Sequence, residues 1–364
     1  MGATQTQTYT HVELLTLKGP EYRRVSTAPP RLPTDDEIPI IDLATINGTL
    51  EERKTLATQV GAAAENTGFF YIRNHGISEE LIDSALHQAK AFFAQSQDKK
   101  EVITFRNSEM SSGYHGLGST QINRSETRDQ KETFSMRYDP RIDPECLDRQ
   151  ALMVTDERNF GGDDFIWEGT SHLPGFHDVT VTFWQRRLEL ARKLVRIFAL
   201  ALGENEDYFD SVITHPGADA LYIHYPGTED TTDGKEVDAG IGSHTDIQCF
   251  TLLWQDMSGG LQVLSAQDEW LDARPIEGTL VVNIADFLQR LSNNRFKSTV
   301  HRVYNRQSSS RYSMPFFFGF NPESVCRVVP SCIDEAHPAL YEPISCGKWH
   351  RERLALARTP TQPV

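Results

Sequence analysis

Apolar residues recur along this chain at two spacings, and each spacing predicts a different kind of element. From His177 to Phe209 they recur every three or four positions, the period of an amphipathic helix. A helix within this stretch could, at ~1.5 Å per residue, extend some 40 Å, so we expect it to form the spine of a single domain.

A mixed pattern precedes that helix. The apolar segment IPIIDLA predicts a short strand near Pro39, and a segment with helical spacing follows it and ends at Gly68. GFFYIRNHGI then predicts another strand, and Ser78 stands where the N-cap of a second helix is expected. Residues 37–105 are therefore predicted to be an α/β section.

Short apolar runs separated by turns follow the long helix, among them LYIHYP, IQCFTLLWQ, TLVVNI and RYSMPFFFGF. Such a succession favours an antiparallel sandwich or barrel. Residues 1–36 are polar and rich in proline, which predicts an extended arm on the surface. Residues 105–176 have the composition of long loops with short strands, and residues 227–240 that of a further loop. Loops as long as the first are more often functional than idle.

Composition narrows the classes of function. The 364-residue chain has a net charge of −15, whereas nucleic acids and anionic membranes attract basic surfaces, so neither is predicted as a partner. No apolar run approaches the ~20 residues of a membrane span. Five widely spaced cysteines without a C-x-x-C pair favour reduced thiols in a cytoplasmic protein.

Candidate chemistry begins at the tripeptide H-T-D. His244 and Asp246 are two residues apart, so in an extended segment both side chains point to one face. His301, in the strand-like segment STVHRV, offers a third metal ligand. Two histidines and one carboxylate on one side of an ion form the facial triad of non-haem Fe(II) oxygenases, which leaves positions for a bidentate cosubstrate and O2.

The tripeptide R-Y-S follows the same spacing rule. Arg311 and Ser313 share a face of an apparent strand, where together they can hold a carboxylate by a charge-assisted pair and a hydroxyl hydrogen bond. A carboxylate anchor that follows a metal site implies a cosubstrate with acid groups.

In this order the motifs resemble one known family, the isopenicillin N synthase-like 2-oxoglutarate/Fe(II)-dependent dioxygenases. The resemblance spans most of the chain and rests above all on H-T-D, H-R-V and R-Y-S. It implies an α+β fold with a double-stranded β-helix, or jelly roll, at about residues 106–345, flanked by helices that include the long spine. Residues 37–364 would then form one domain.

The same resemblance implies a role for each candidate residue. The iron ligands would be His244, Asp246 and His301. The distal carboxylate of 2-oxoglutarate would be held by Arg311 and Ser313, assisted by Tyr225. Two positions depart from the family pattern: Ile223 stands where many members have Asn, and Ala285 precedes Asp286 where Gly is common. The first departure bears on the details of cosubstrate binding.

Strand parity extends the expected pocket. Phe317 shares a face with Arg311, and Leu221 and Ile223 share one with Tyr225. All three are apolar, which predicts a largely apolar small-molecule substrate that packs against Phe317. The expected reaction is hydroxylation, desaturation or ring formation in specialised metabolism, coupled to conversion of 2-oxoglutarate and O2 into succinate and CO2.

Three other interpretations use the same residues. An oxidase of the same fold could work without 2-oxoglutarate and use R-x-S for a substrate carboxylate. A non-catalytic jelly-roll protein could bind a metal or small molecule, and a zinc hydrolase could use two histidines and an aspartate, although R-Y-S would have no evident role there. The sequence predicts neither the identity of the substrate nor the oligomeric state.

Overall fold

Two facing β-sheets form the centre of the protein, in a computed structural model that describes residues 8–155, 163–228 and 239–358. Most of the predicted loop at 227–240 and part of the segment 105–176 lie outside the described residues.

The N-terminal residues form a hairpin. Strands β1 (Tyr9–Thr16) and β2 (Gly19–Ser26) pair antiparallel, and Gly19 has a φ of 111° after the tight turn. Val12 and Val25 pack against Trp270 of the smaller sheet. Residues 9–26 of the segment predicted to be an extended arm form this hairpin instead, because Val12 and Val25 pack against the smaller sheet. Most of the prolines that suggested an arm follow the hairpin.

Within the described residues, the larger sheet has eight strands. They are β3 (Ile40–Asp42), β4 (Phe69–Arg73), β5 (Gly113–His115), β6 (Glu132–Met136), β7 (Gly217–Tyr225), β9 (Phe250–Gln255), β12 (Leu280–Ile284) and β14 (Arg311–Gly319). Their order is β3-β4-β12-β9-β14-β7-β6-β5. β3 and β4 pair in parallel, and the other neighbours pair antiparallel.

The smaller sheet faces it and carries two of the predicted metal ligands. Its strands are β8 (Ile241–His244), β10 (Leu261–Leu264), β11 (Trp270–Asp272) and β13 (His301–Val303), in the order β11-β10-β13-β8. A separate short pair consists of β15 (Val325–Cys326) and β16 (Ile344–Ser345).

Helices flank the sheets. They are α1 (Leu50–Asn66), α2 (Glu79–Phe93), α3 (Gln97–Glu101), α4 (Arg149–Thr155), α5 (Phe165–Thr170), α6 (Phe176–Leu202), α7 (Asp286–Leu291) and α8 (Cys346–Arg358). The predicted spine is confirmed as α6, with Gly203 as its left-handed C-cap. The indole of Trp184 donates to the carbonyl of Ala218 at 2.9 Å and so ties α6 to β7.

The larger sheet has a different apolar core on each face. Tyr222 of β7 belongs to the core shared with the helices, whereas Ile223 and Tyr225 of the same strand pack with Val303 between the two sheets. Alternate residues of one strand therefore serve separate cores, as strand parity requires. The structure confirms the predicted α+β jelly roll with flanking helices, and the predicted site residues lie on the face between the sheets.

Candidate active site

The ends of two neighbouring strands bring the predicted triad together. His244 ends β8 and lies directly opposite His301, the first residue of β13. Asp246 follows two residues after His244, and its Oδ1 lies 3.6 Å from Nε2 of His244 and 3.7 Å from Nε2 of His301. Within the described residues, this is the one group of three or more His, Cys, Asp or Glu side chains whose ligand atoms converge. These atoms all lie within 4.8 Å of one another.

Backbone carbonyls fix the orientation of both imidazoles. Nδ1 of His244 lies 2.8 Å from the carbonyl oxygen of Gly242, and Nδ1 of His301 lies 3.0 Å from that of Thr299. A carbonyl oxygen only accepts, so each Nδ1 donates and each Nε2 keeps its lone pair for a metal. Burial, reinforced by His244, lowers the pKa of His301 to about 4, which keeps that ring neutral near pH 7.

Two side-chain donors fix the orientation of the Asp246 carboxylate. Oδ2 of Asp246 accepts from Oγ1 of Thr251 at 2.5 Å and from Nδ2 of Asn283 at 2.7 Å, which leaves Oδ1 facing the histidines. Burial alone would raise the pKa of Asp246, but His301 and His244 outweigh it and hold the pKa below its ordinary value. Two imidazoles oriented through Nδ1 and one carboxylate oxygen therefore fit Fe(II).

The predicted carboxylate anchor lies on the facing sheet. Arg311 is fully buried, yet among the described residues it forms no salt bridge with an acidic side chain. Its Nε donates to the carbonyl of Gly259 at 2.6 Å and its Nη2 to Oε1 of Gln255 at 3.1 Å. Nη1 is buried with no hydrogen-bond partner among the described residues. A buried, incompletely partnered guanidinium is costly, and an anionic ligand would offset that cost.

Two hydroxyl groups stand beside this guanidinium. Tyr225 lies directly opposite Arg311 in the β7–β14 register, with its ring centroid 4.7 Å from Cζ of the arginine. Oγ of Ser313 lies 3.5 Å from the phenol oxygen of Tyr225. All three predicted anchor residues thus converge between the sheets, where they can surround one carboxylate.

Several known proteins are similar to this chain in sequence and in fold. Residues 217–320 match the family model of the 2OG-Fe(II) oxygenase superfamily, and residues 38–156 match that of the N-terminal region of the non-haem dioxygenase in morphine synthesis. The chain is 38% identical over 359 residues to the 2-oxoglutarate-Fe(II) type oxidoreductase ppzC of Metarhizium rileyi, which covers 97% of this chain and 95% of the relative. This chain belongs to the 2-oxoglutarate/Fe(II)-dependent dioxygenase family.

Other relatives agree with that assignment. The dioxygenase is 34% identical over 310 residues to the 2-oxoglutarate-Fe(II) type oxidoreductase hxnY of Emericella nidulans, covering 84% of this chain and 86% of the relative. The crystal structure of a full-length Neurospora crassa protein in complex with alpha-KG and thymine superposes with a TM-score of 0.73 at 27% identity, covering 89% of this chain and 98% of that one. Within the described residues, the dioxygenase has no helix with the length and hydropathy needed to cross a membrane.

The predicted substrate residues occupy two environments in the dioxygenase. Phe317 is partly exposed, whereas Phe316 and Phe318 beside it in β14 are fully buried. Ile223 is buried between the sheets opposite Ser313, and Leu221 is partly buried against the same cluster. Phe317 is therefore the one of the three predicted positions that lies outside the apolar clusters.

A row of side chains across the larger sheet connects Phe317 to the triad. In the strand register, Phe317 of β14 lies opposite Thr251 of β9, which in turn lies opposite Asn283 of β12. Thr251 and Asn283 are the two residues that hold Asp246. Sequence reasoning missed both, although each is a polar residue at an inward-facing position of an otherwise apolar strand.

The opposite end of that row is charged. Asp219 of β7 lies opposite Phe317, and its Oδ2 accepts from Nη1 of Arg137 at 3.0 Å and from Nε2 of Gln248 at 2.9 Å. The side chains of Arg137 and Asp219 are 14% and 10% exposed, so this ion pair is largely buried. Since strands are ~4.8 Å apart, Asp219 stands two strands, or about 10 Å, from Thr251. A charged pair that sequence reasoning missed therefore lies next to Phe317, one of the residues predicted to line an apolar pocket.

Proposed function

We propose that the dioxygenase binds Fe(II) through His244, Asp246 and His301 and binds 2-oxoglutarate through Arg311, Ser313 and Tyr225. The observation that carries the second assignment is the buried guanidinium of Arg311, which lacks a carboxylate partner among the described residues. It lies beside Tyr225, which packs between the sheets with Ile241 and Val303 of the strands that carry the two histidines. A cosubstrate with one chelating and one distal acid group would bridge these two sites.

The residues of the chain have distinct tasks in this reaction. Arg311 and the hydroxyls of Ser313 and Tyr225 would hold the distal carboxylate, which would leave the 2-oxo acid end for the metal. Fe(II) bound there supplies the redox chemistry by which 2-oxoglutarate and O2 become succinate and CO2 while the substrate is oxidised. The apolar cluster between the sheets excludes water from the reacting groups.

For the substrate we propose a small organic molecule with an apolar part and a hydrogen-bonding end. The apolar part would pack on Phe317, and Leu221 and Ile223 would continue that wall toward the anchor. The polar end would meet the Asp219–Arg137 pair. The Neurospora crassa structure in complex with thymine, a small ring with hydrogen-bonding groups on its edge, supports a substrate of this size.

A cytoplasmic location is proposed on the ground that all five cysteines are free thiols. The acidic net charge continues to favour a small molecule over a nucleic acid or a membrane surface as the binding partner.

Succinate formation tests the proposed function. Purified protein with Fe(II), 2-oxoglutarate and O2 is screened against small organic acids and alkaloid-like, terpenoid and heterocyclic compounds, and succinate and oxidised product are measured together. We expect a substrate that stimulates succinate formation, with one product per succinate and no turnover when Fe(II) is omitted. Product formed without any 2-oxoglutarate would establish the oxidase alternative instead.

A further inference from the structure

The C-terminal helix α8 contacts the segment that carries two of the proposed iron ligands. We propose that Arg353 and Trp349 of α8 are positioning residues for residues 244–248, and that Arg353 acts through Asp286. This inference rests on the proposed iron site, because it assigns a purpose to contacts around His244 and Asp246.

Asp286, at the start of α7, joins the two segments that hold the triad. Its backbone N–H donates to the carbonyl of Asp246 at 2.9 Å, and its Oδ2 accepts from the hydroxyl of Thr245 at 3.2 Å. Its Oδ1 accepts from the hydroxyl of Ser298 at 2.7 Å, three residues before His301. One carboxylate therefore contacts both the H-T-D segment and the segment that leads into His301.

Arg353 completes this arrangement from α8. Its Nη2 lies 2.7 Å from Oδ2 of Asp286, and the two side chains are only 10% and 16% exposed. The same guanidinium donates to the carbonyl of Leu15 in β1. A largely buried carboxylate that lost this partner would be unstable in its present position, and Asp286 would then release Thr245 and Ser298.

Trp349, one turn earlier on α8, makes an independent contact. Its indole Nε1 donates to the carbonyl of Ile247 at 2.8 Å, and Ile247 directly follows Asp246. On the other side of the same segment, the N–H of Phe287 donates to the carbonyl of Gln248 at 2.9 Å. The backbone after Asp246 is thus held between α7 and α8, so both contacts of α8 fix the direction in which Asp246 points.

The test compares metal binding in matched variants under anaerobic conditions. Arg353→Gln removes the cation, and Arg351→Gln makes the same change at an exposed position of the same helix. The dissociation constant of Mn(II) is measured by calorimetry, the Co(II) absorption spectrum reports ligand geometry, and the melting temperature of the metal-free protein reports folding. Arg353→Lys tests rescue by a conservative change.

We expect Arg353→Gln to weaken Mn(II) binding by about tenfold or more and to alter the Co(II) spectrum, since loss of outer contacts to metal ligands commonly costs about 10–100-fold in affinity. Arg353→Lys should recover most of the affinity, and Arg351→Gln should leave it unchanged. Trp349→Phe keeps an aromatic ring and removes one donor, so it should weaken Mn(II) binding by a smaller factor even if Arg353→Gln does not fold.

Unchanged Mn(II) affinity in folded Trp349→Phe, together with unchanged affinity in any folded Arg353→Gln, would overturn this inference. The proposed iron site is judged separately by His301→Ala. If that variant still bound Mn(II) like the unaltered protein, the triad itself would be wrong; if it lost the metal while both α8 variants kept it, only the role of α8 would be wrong.

Discussion

Single hydrogen bonds decide which atom of each proposed iron ligand faces the metal. The carbonyls of Gly242 and Thr299 bind Nδ1 of the two histidines, and Thr251 and Asn283 bind one oxygen of Asp246. The three remaining ligand atoms converge because every competing position on these side chains already has a partner.

Replacing Asn283 tests this arrangement. In Asn283→Ala, Asp246 keeps Thr251 but loses one of the two donors to Oδ2, so its carboxylate can rotate away from the histidines. We expect Mn(II) affinity to fall by about 10-fold or more, as for other outer contacts of metal ligands. Asn107→Ala, at an exposed position, is the control and should bind Mn(II) normally. Equal affinities in the two variants would remove Asn283 from the site.

Phe317 allows a second test on a single residue. Phe317 lies one strand from Thr251 and four residues along β14 from Ser313, so Phe317→Ala should still convert 2-oxoglutarate into succinate. The substrate would be held loosely, and the ratio of oxidised product to succinate should fall. Measuring both compounds in one reaction gives that ratio directly. An unchanged ratio would exclude Phe317 from the substrate pocket.

The predictability of the site differs from residue to residue. His244 with Asp246, and Arg311 with Ser313, can be found from the sequence because each pair is two residues apart, and parity then places both members on one face. Thr251 and Asn283 cannot be found in this way. Parity predicts which face of a strand a side chain occupies, but not which residues of the neighbouring strands lie beside it. Their neighbours follow from the register of β9 against β12, which depends on tertiary pairing.

At the scale of elements, a buried polar cluster joins the strands behind the proposed anchor. Glu132 of β6 accepts from Lys100 of α3 and Tyr114 of β5, each at 2.6 Å, and pairs with Nδ1 of His224 of β7 at 2.8 Å. His224 directly precedes Tyr225, so the cluster fixes the strand from which the anchor tyrosine projects.

Glu132→Gln should therefore destabilise the fold. It leaves Lys100 without its buried anionic partner, which typically costs about 3–5 kcal/mol in the free energy of unfolding at neutral pH. Burial raises the pKa of Glu132, but hydrogen bonds from His224, Lys100 and Tyr114 outweigh it and hold that pKa below 4.5. A depressed carboxyl pKa contributes stability above the ordinary value, and that contribution is lost as the pH falls through the folded value.

Denaturant unfolding of both proteins from neutral to acidic pH measures this contribution. The difference in free energy of unfolding between the unaltered protein and Glu132→Gln should be constant above pH 4.5 and shrink below it. Glu335→Gln, at an exposed position, should unfold like the unaltered protein. A difference that did not depend on pH would mean that the charge of Glu132 does not stabilise the cluster.

Elements are predictable where one strong pattern governs them. The spine α6 is predictable because its buried face repeats over 27 residues, and Ser78 is predictable as a cap because its hydroxyl accepts from the N–H of Leu81 within the helix start itself. The hairpin of β1 and β2 is not, because it is stabilised by distant residues such as Trp270, and its strands carry many exposed polar side chains.

At the scale of the whole molecule, the two sheets bring chemistry from distant parts of the chain into one space. The smaller sheet supplies His244 and His301, and the larger sheet supplies Arg311 and Phe317. The prediction of a single domain over residues 37–364 stays a prediction. The hairpin packs on Trp270 of the smaller sheet, and α8 contacts both the hairpin and the segment that follows β8.

The central claim is that Arg311 binds the distal carboxylate of 2-oxoglutarate, and direct binding tests it without knowledge of the substrate. Calorimetry on the Mn(II)-loaded protein compares Arg311→Gln with Arg302→Gln, whose guanidinium lies 3.7 Å from the centre of the Trp270 ring. Loss of a desolvated charge pair costs about 2–5 kcal/mol, so the dissociation constant of 2-oxoglutarate should rise on the order of 30-fold or more in Arg311→Gln. It should stay unchanged in Arg302→Gln. If Arg311→Gln bound 2-oxoglutarate as tightly as the unaltered protein, the proposed cosubstrate site would be contradicted.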